Sequence, residues 1–272
     1  MNEKYKLFQG DCLELMKDIP DGSVDLTITS PPYDNLRSYN GNNEKWGEHI
    51  WKEVIKNLFR ITKNGGVVVW IVADATINGS ETGTSFKQAL FAKHCGFNLH
   101  DTMIWNKGNF TAVGALKTSY APVFEYMFVY SKGKPKTFNP IKDRKNKHYG
   151  NIYHQTVRQF DGTVKDGHGK GKKRIAEFGQ RHNVWVMPPE QSNIKRVHPA
   201  QFPEHLANDH IISWSNECDT ILDPFMGSGT TGVACANTKR KFIGMELDQD
   251  YFNIAKKRIE EVYSKSNIED FL

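Results

Sequence analysis

The stretch "ILDPFMGSGTTGVA" (residues 221–234) decides the fold. It opens with a short apolar run, breaks at Asp223-Pro224, and passes through small residues into a helix-forming segment. Then "KFIGMEL" (241–247) reads as a second buried strand that carries an acid, Glu246. Gly227, Gly229 and Gly232 formally match GxGxxG between a strand and a helix, the pattern of a nucleotide-binding βαβ unit. A tight turn that needs small residues is the plainer reading of the same glycines. Asp223 argues against a dinucleotide, because a carboxylate at the strand end places negative charge near a pyrophosphate. A ligand with an adenosine ribose and a cationic head, and no phosphate, suits the site better. S-adenosylmethionine is such a ligand. Glu246 is then expected to hold the ribose hydroxyls, and Asp223 to lie near the methionine end.

Outward from this unit, strands and helices alternate along the chain. "VDLTITS" (24–30) and "GGVVVWIVA" (65–73) read as strands, and "IWKEVIKNLFRI" (50–61) has apolar residues at helical spacing. "TSFKQALFAKHCGF" reads as a helix ending near Gly96, "LHDTMIWNK" and "FEYMFVYSK" as two more strands. "PEHLANDHIISWS" and "QDYFNIAKKRIEEVYS" are further helices. This rhythm predicts an α/β fold: a parallel, doubly wound Rossmann-like sheet with helices on both faces. It lapses in the middle of the chain. The expected organisation is 1–130 and 196–272 as two halves of one domain, with 131–195 as an insert.

That insert holds the positive charge. The chain has 272 residues and a formal net charge of +5. Ser131 to Arg181 contains 14 Lys and Arg against 4 Asp and Glu, a net +10, and the remainder has 22 against 27, a net −5. A solvated loop is the bland reading; the sharper one is a footprint for a polyanion. Lys170, Lys172, Lys173 and Arg174 are the densest run and the candidate phosphate contacts. The four cysteines (Cys12, Cys95, Cys218 and Cys235) lack CxxC spacing, so neither zinc nor a disulfide framework is indicated. No metal is expected. The first residues lack an apolar signal segment and no run reaches membrane-spanning length, so a reducing cytoplasmic setting is expected.

A second stretch, "TSPPYDN" (29–35), sets two prolines and an aromatic at the end of a strand. Together with "DPFMGSGTT" and "GMEL" downstream, it resembles the amino-methylating DNA methyltransferases. These transfer a methyl from S-adenosylmethionine to N4 of cytosine or N6 of adenine. The order, with the Pro-Pro motif first and the glycine loop last, resembles the permuted beta group of that family. The resemblance covers roughly residues 5–262 and implies roles for particular residues. Ser30 and the Pro31 carbonyl accept from the target amine, Pro32 stiffens the turn, and Tyr33 stacks on the extruded base. Asp11 and Cys12, in "FQGDCLELM" (8–16), line the adenine pocket. Phe202, in "HPAQFPEHL" (198–206), approaches the methionine moiety. Asp223, Pro224, Phe225, Gly227, Ser228, Gly229, Thr230 and Glu246 complete the cofactor site. Phe124 and Tyr126 are candidates for the other face of the base, with Trp105 a weaker one.

The motif has a physical rationale. An exocyclic amine is a poor nucleophile because its lone pair is delocalised into the ring. Two acceptors aimed at its protons favour a tetrahedral nitrogen and free the pair. Prolines hold a carbonyl in place without offering competing N–H donors. The base must leave the duplex to reach such a site, which calls for a stacking platform.

Rival readings fare worse. Carbon-5 methylation needs a cysteine after a proline, and none of the four cysteines follows one. Glutamine methyltransferases normally carry the glycine loop upstream of their Asn-Pro-Pro-Tyr motif. A non-enzymatic nucleic-acid binder does not need intact Ser30, Asp223 and Glu246. An NAD oxidoreductase is the rival at the level of fold. Serine before Pro-Pro is commoner in cytosine-N4 enzymes and Asp or Asn in adenine-N6 enzymes. Cytosine N4 is therefore expected, with adenine N6 as the alternative. The resemblance also implies double-stranded DNA as partner and a bacterial, archaeal or phage origin, and it leaves a homodimer and a companion restriction endonuclease open.

Overall fold

The computed structural model describes residues 4–32, 46–108, 120–152, 156–167, 174–189 and 202–269. The chain forms two compact units, 1–139 with 183–272, and 140–182.

The first unit is built on an eight-stranded sheet. Its strands are β1 (Tyr5–Gln9), β2 (Val24–Thr29), β3 (Thr62–Val72), β4 (Asn98–Asn106), β5 (Phe124–Ser131), β6 (Val184–Val186), β7 (Thr220–Asp223) and β8 (Lys241–Glu246). The order across the sheet is β1-β8-β7-β2-β3-β5-β4-β6. All pairings are parallel except those of β5, which runs against both β3 and β4. The all-parallel expectation fails there because β4 and β5 form a hairpin-like pair. Their ladder runs on past the strand ends, where Lys107 N donates to the Val123 carbonyl at 2.7 Å.

Both faces of the sheet are covered. In β3, Val67, Val69 and Ile71 join the core beneath α4 (Glu204–Trp214), α5 (Thr230–Asn237) and α6 (Gln249–Glu269). The intervening Val68, Trp70 and Val72 join the core beneath α1 (Cys12–Leu15), α2 (Glu48–Ile61) and α3 (Thr84–His94). A strand with an apolar residue at every position fits a strand buried on both faces. Helix α2 shows the helical counterpart. Trp51, Val54, Ile55, Leu58 and Ile61 are buried on one stripe, each worth about 1.5–3 kcal/mol relative to exposure. The helix stops at Thr62, whose hydroxyl donates back to the Leu58 carbonyl at 2.6 Å before the chain enters β3.

The second unit holds only short antiparallel pairings: Arg144–Lys145 with Phe178–Gly179, and Thr156–Arg158 with Val164–Asp166. Arg181 pairs with Asp143 at 2.5 Å, and the Asn146 N–H donates to the Glu177 carbonyl. Its bounds are narrower than the expected 131–195. Ser131 is buried in β5, and Asn139 is tied by its own N–H to the Ser213 carbonyl of α4. Val184–Val186 returns to the sheet edge beside β4, burying Trp185. The apolar and hydrogen-bonding needs of these flanks are met in the first unit. Residues 140–182 carry 11 Lys and Arg against 4 Asp and Glu, so the charge stays with the smaller unit.

Candidate active site

Four neighbouring parallel strands bring the sequence motifs to one edge of the sheet. Their carboxyl ends carry Asp11 (after β1), Glu246 (β8), Asp223 (β7) and Ser30 (after β2). Between β7 and β2 the winding reverses. The path β7-α5-β8 goes one way and β2-α2-β3 the other. Such a topological switch opens a crevice outside the strand ends, and open α/β sheets bind ligands there. Motifs almost 200 residues apart in sequence therefore meet by strand pairing: Leu222 lies opposite Thr27.

The two motifs are also joined directly. Asp223 Oδ1 accepts from the Thr29 hydroxyl at 2.7 Å and from the Phe225 N–H at 3.1 Å. Its Oδ2 accepts from the Thr231 hydroxyl at 2.7 Å. The residue is 1% exposed, and burial pushes its pKa up to about 6 against the pull of these three donors. The Asp223 carboxylate is turned inward: it staples the end of β2, one residue before Ser30, to the glycine turn and the first turn of α5.

Glu246 fixes the other side of the turn. Its Oε2 accepts from the Gly227 N–H at 2.8 Å, and its Oε1 from the Asp248 N–H at 2.9 Å. Burial raises its pKa. A carboxylate oxygen has two lone pairs, so both oxygens keep capacity for further donors such as a diol. Gly10 N–H donates to the Glu246 carbonyl at 2.8 Å, which brings the end of β1 alongside. There Asp11 caps α1, its Oδ1 accepting from the Leu13 N–H at 2.8 Å, while its side chain stays at the exposed rim. Cys12 is buried, and burial together with Asp11 pushes its thiol up to about 12. A thiol so hard to ionise is no nucleophile.

The glycines earn their places by close packing. Gly229 has φ +85°, and a Cβ there would lie 3.0 Å from Ala255 of α6. A Cβ on Gly232 would come within 2.4 Å of Ile259, so α5 rests against α6 only if this position stays bare. From α6, Arg258 donates to the Ser228 carbonyl at 2.5 Å and holds the turn from behind. Ser228 and Thr230 are buried in this packing, as is Pro224, and Phe225 is half-buried with its ring edge-on to Trp46 at 5.5 Å. Trp46 went unread in the sequence; its signal was a lone aromatic before α2.

Other candidates divide. Ser30 and Pro32 are half-buried and Pro31 is buried. Tyr33, Lys170, Lys172 and Lys173 lie outside the described residues. Phe202 belongs to the core beneath α4 and α5, in one cluster with Leu206 and Val233. Trp105 is core too, with its indole N–H on the Met187 carbonyl at 2.7 Å. Phe124 is exposed at the start of β5, and because β5 is reversed this end lies at the motif-bearing edge. It leads a row in which Phe124 meets Tyr126 edge-on and Tyr126 stacks on Phe128 at 5.3 Å. Burial, then Asp74 and Glu81, raises the Tyr126 pKa. Arg174 donates to the Gly150 carbonyl at 2.8 Å and so helps hold its own unit together.

The donor set fits one kind of ligand. Asp11, Glu246 and Asp248 make the rim acidic, and residues 220–238 contain no Lys or Arg. A diphosphate finds no counter-charge on this turn, whereas a cationic nucleoside meets complementary charge and two acceptors for its hydroxyls.

Comparison with known proteins agrees with this chemistry. Residues 24–257 match the family model described as DNA methylase, of the N6/N4 type. The orphan methyltransferase M.BamHII of Bacillus amyloliquefaciens is 49% identical over 252 residues, covering 90% of this chain and 92% of the relative. Among solved structures, the M1.HpyAVI–SAM complex superposes with a TM-score of 0.64 at 25% identity, covering 94% and 98% of the two chains. The PvuII DNA methyltransferase (cytosine-N4-specific) shares the fold with a TM-score of 0.69 at 18% identity, covering 98% and 93%.

Proposed function

From the premise that the chain belongs to the N6/N4 DNA methylase family, we propose that this enzyme methylates the N4 amine of cytosine in duplex DNA, at a specific sequence and on an extruded base. The observation that carries the reading is the junction of its two motifs. Asp223 ties the strand that delivers Ser30-Pro31-Pro32 to the glycine turn and to α5. The choice of cytosine rests on Ser30, the residue type commoner before Pro-Pro in cytosine-N4 enzymes.

S-adenosylmethionine is the cofactor, and when bound it supplies an electrophilic methyl group. On the protein side, Glu246 and Asp11 would hold the adenosine end, with Cys12 as a neutral lining. The acidic rim favours the cationic head. Ser30 Oγ and the Pro31 carbonyl accept hydrogen bonds from the two N–H groups of the target amine and favour a tetrahedral nitrogen with its lone pair free. After methylation, the nitrogen gives up one of its two protons to solvent. The contribution is positioning and electrostatics, with no covalent enzyme intermediate. Tyr33 stacks on the base, with Phe124 the candidate for its other side. The basic unit 140–182 rides on phosphates, Lys170, Lys172, Lys173 and Arg174 among its contacts. The homodimer is part of the same proposal, and light scattering of the purified chain tests it.

Plasmid DNA from cells expressing the enzyme, mapped by single-molecule sequencing, should carry N4-methylcytosine in one short motif. N6-methyladenine in its place would overturn the choice of base, and unmodified DNA would overturn the reading.

A further inference from the structure

The second unit contains a two-stranded ribbon whose strands are exposed on both faces among the described residues. Thr156–Arg158 pairs antiparallel with Val164–Asp166, and all six residues are exposed. A ribbon with two solvated faces is marginal by itself, yet this one has a built tip. Gln159 N–H donates to the Thr163 carbonyl at 2.7 Å, and Gly162 N–H to the Gln159 carbonyl at 3.0 Å. Asp161 Oδ1 accepts from both the Thr163 N–H and the Thr163 hydroxyl, at 2.9 and 2.7 Å. Gly162 takes the left-handed φ of +83° that such a turn requires. At the apex of this braced turn stands Phe160, fully exposed. Arg158 and Lys165 flank it on the two strands.

A ribbon with a hydrogen-bonded tip that holds an aromatic ring in water, set in a basic unit, is shaped for a partner. The unit's 11 Lys and Arg against 4 Asp and Glu call for a polyanion. Paired strands lie about 4.8 Å apart, and the major groove of B-DNA, about 12 Å wide, admits a two-stranded ribbon with its side chains. We propose that Thr156–Asp166 is the sequence-reading element, entering the major groove with Phe160 against the apolar base edges of the groove floor and Arg158 on a neighbouring base edge. This rests on the DNA-methyltransferase reading and deepens it from a general phosphate footprint to named specificity residues. Guanidinium contacts to guanine and apolar contacts to the thymine methyl are the corresponding base-edge interactions.

The test uses the full-length enzyme, S-adenosylmethionine and a pool of duplexes with a randomised window, with methylated molecules sequenced. Wild type, Phe160→Ala and Arg158→Ala are compared, and melting temperature and S-adenosylmethionine affinity are followed alongside. Both side chains are exposed, so both variants should melt like wild type. Each should relax at least one position of the motif. The rate ratio between the preferred duplex and its one-base variant at that position should fall about tenfold or more. Two variants that keep the wild-type motif and rate ratios would overturn the proposal. So would a Phe160→Ala change confined to the oligomeric state, which would make the tip a protein contact. A wild-type enzyme that methylates no duplex would overturn the function itself, and the ribbon's role with it.

Discussion

Asp223 is the residue on which the site's construction is best tested, through Asp223→Asn. The buried carboxylate has its pKa raised from 3.8 to about 6, so protonation favours the folded state. The sign follows from linkage. The stability this residue gives is fully present below its unfolded pKa and is lost as the pH rises through its folded pKa. A shift of roughly two units at 1.36 kcal/mol each amounts to about 3 kcal/mol in all. About half of that, roughly 1.4 kcal/mol, falls between pH 5 and pH 7.5. Asparagine keeps the shape and has no charge to desolvate, so its own stability has no such component. The Thr29 and Thr231 hydroxyls can each turn from donor to acceptor to meet the amide. The stability of wild type relative to Asp223→Asn should therefore fall by about 1.4 kcal/mol across that window. Urea unfolding at matched pH values measures the difference directly, since titrations elsewhere in the molecule cancel between the two proteins. A difference that does not move with pH, or moves the other way, would refute the reasoning that a buried acid clamps β2 to the glycine turn.

Three further outcomes follow from the same geometry. Glu246→Gln keeps the size of the side chain and loses its charge; S-adenosylmethionine should bind at least about tenfold more weakly by calorimetry, since hydrogen bonds to charged groups are worth roughly 1.5–3 kcal/mol. Gly229→Ala forces a Cβ to 3.0 Å from Ala255 at φ +85°, and the melting temperature should drop by several degrees, read by circular dichroism. Replacing Lys170, Lys172, Lys173 and Arg174 with neutral residues should flatten the log–log salt dependence of DNA affinity by about 0.9 per lost phosphate contact, with S-adenosylmethionine affinity untouched.

The strands and helices of the first unit were legible because burial writes itself into periodicity. From Val67 to Val72 β3 is apolar at every position, as a strand covered on both faces must be, and α2 carries its stripe at helical spacing. Strand direction leaves no such trace. "FEYMFVYS" reads the same whether it runs with or against β3, so the reversal of β5 appeared only in the structure. The site was legible as a set of motifs and illegible in its orientations. "DPF" does not tell whether Asp223 faces a ligand or a threonine 194 residues earlier in the chain. Whether Phe202 and Trp105 line a site or fill the core is equally unreadable in the sequence, because buried and ligand-facing rings are the same letters. The ribbon tip, "FDGT", held a hairpin signal in its Asp-Gly pair, but charge drew the reading to the lysines nearby.

The central claim is that Ser30, delivered by β2 beside the glycine turn, acts on the target amine. Single-turnover methylation of duplex DNA, with nucleosides identified by mass spectrometry, tests it most directly in wild type against Ser30→Ala. Wild type should yield N4-methyldeoxycytidine. The variant should bind S-adenosylmethionine as tightly yet transfer the methyl roughly 10²–10³-fold more slowly, the loss that follows removal of one group acting in the transition state. A Ser30→Ala enzyme that methylates at the full single-turnover rate would contradict the account.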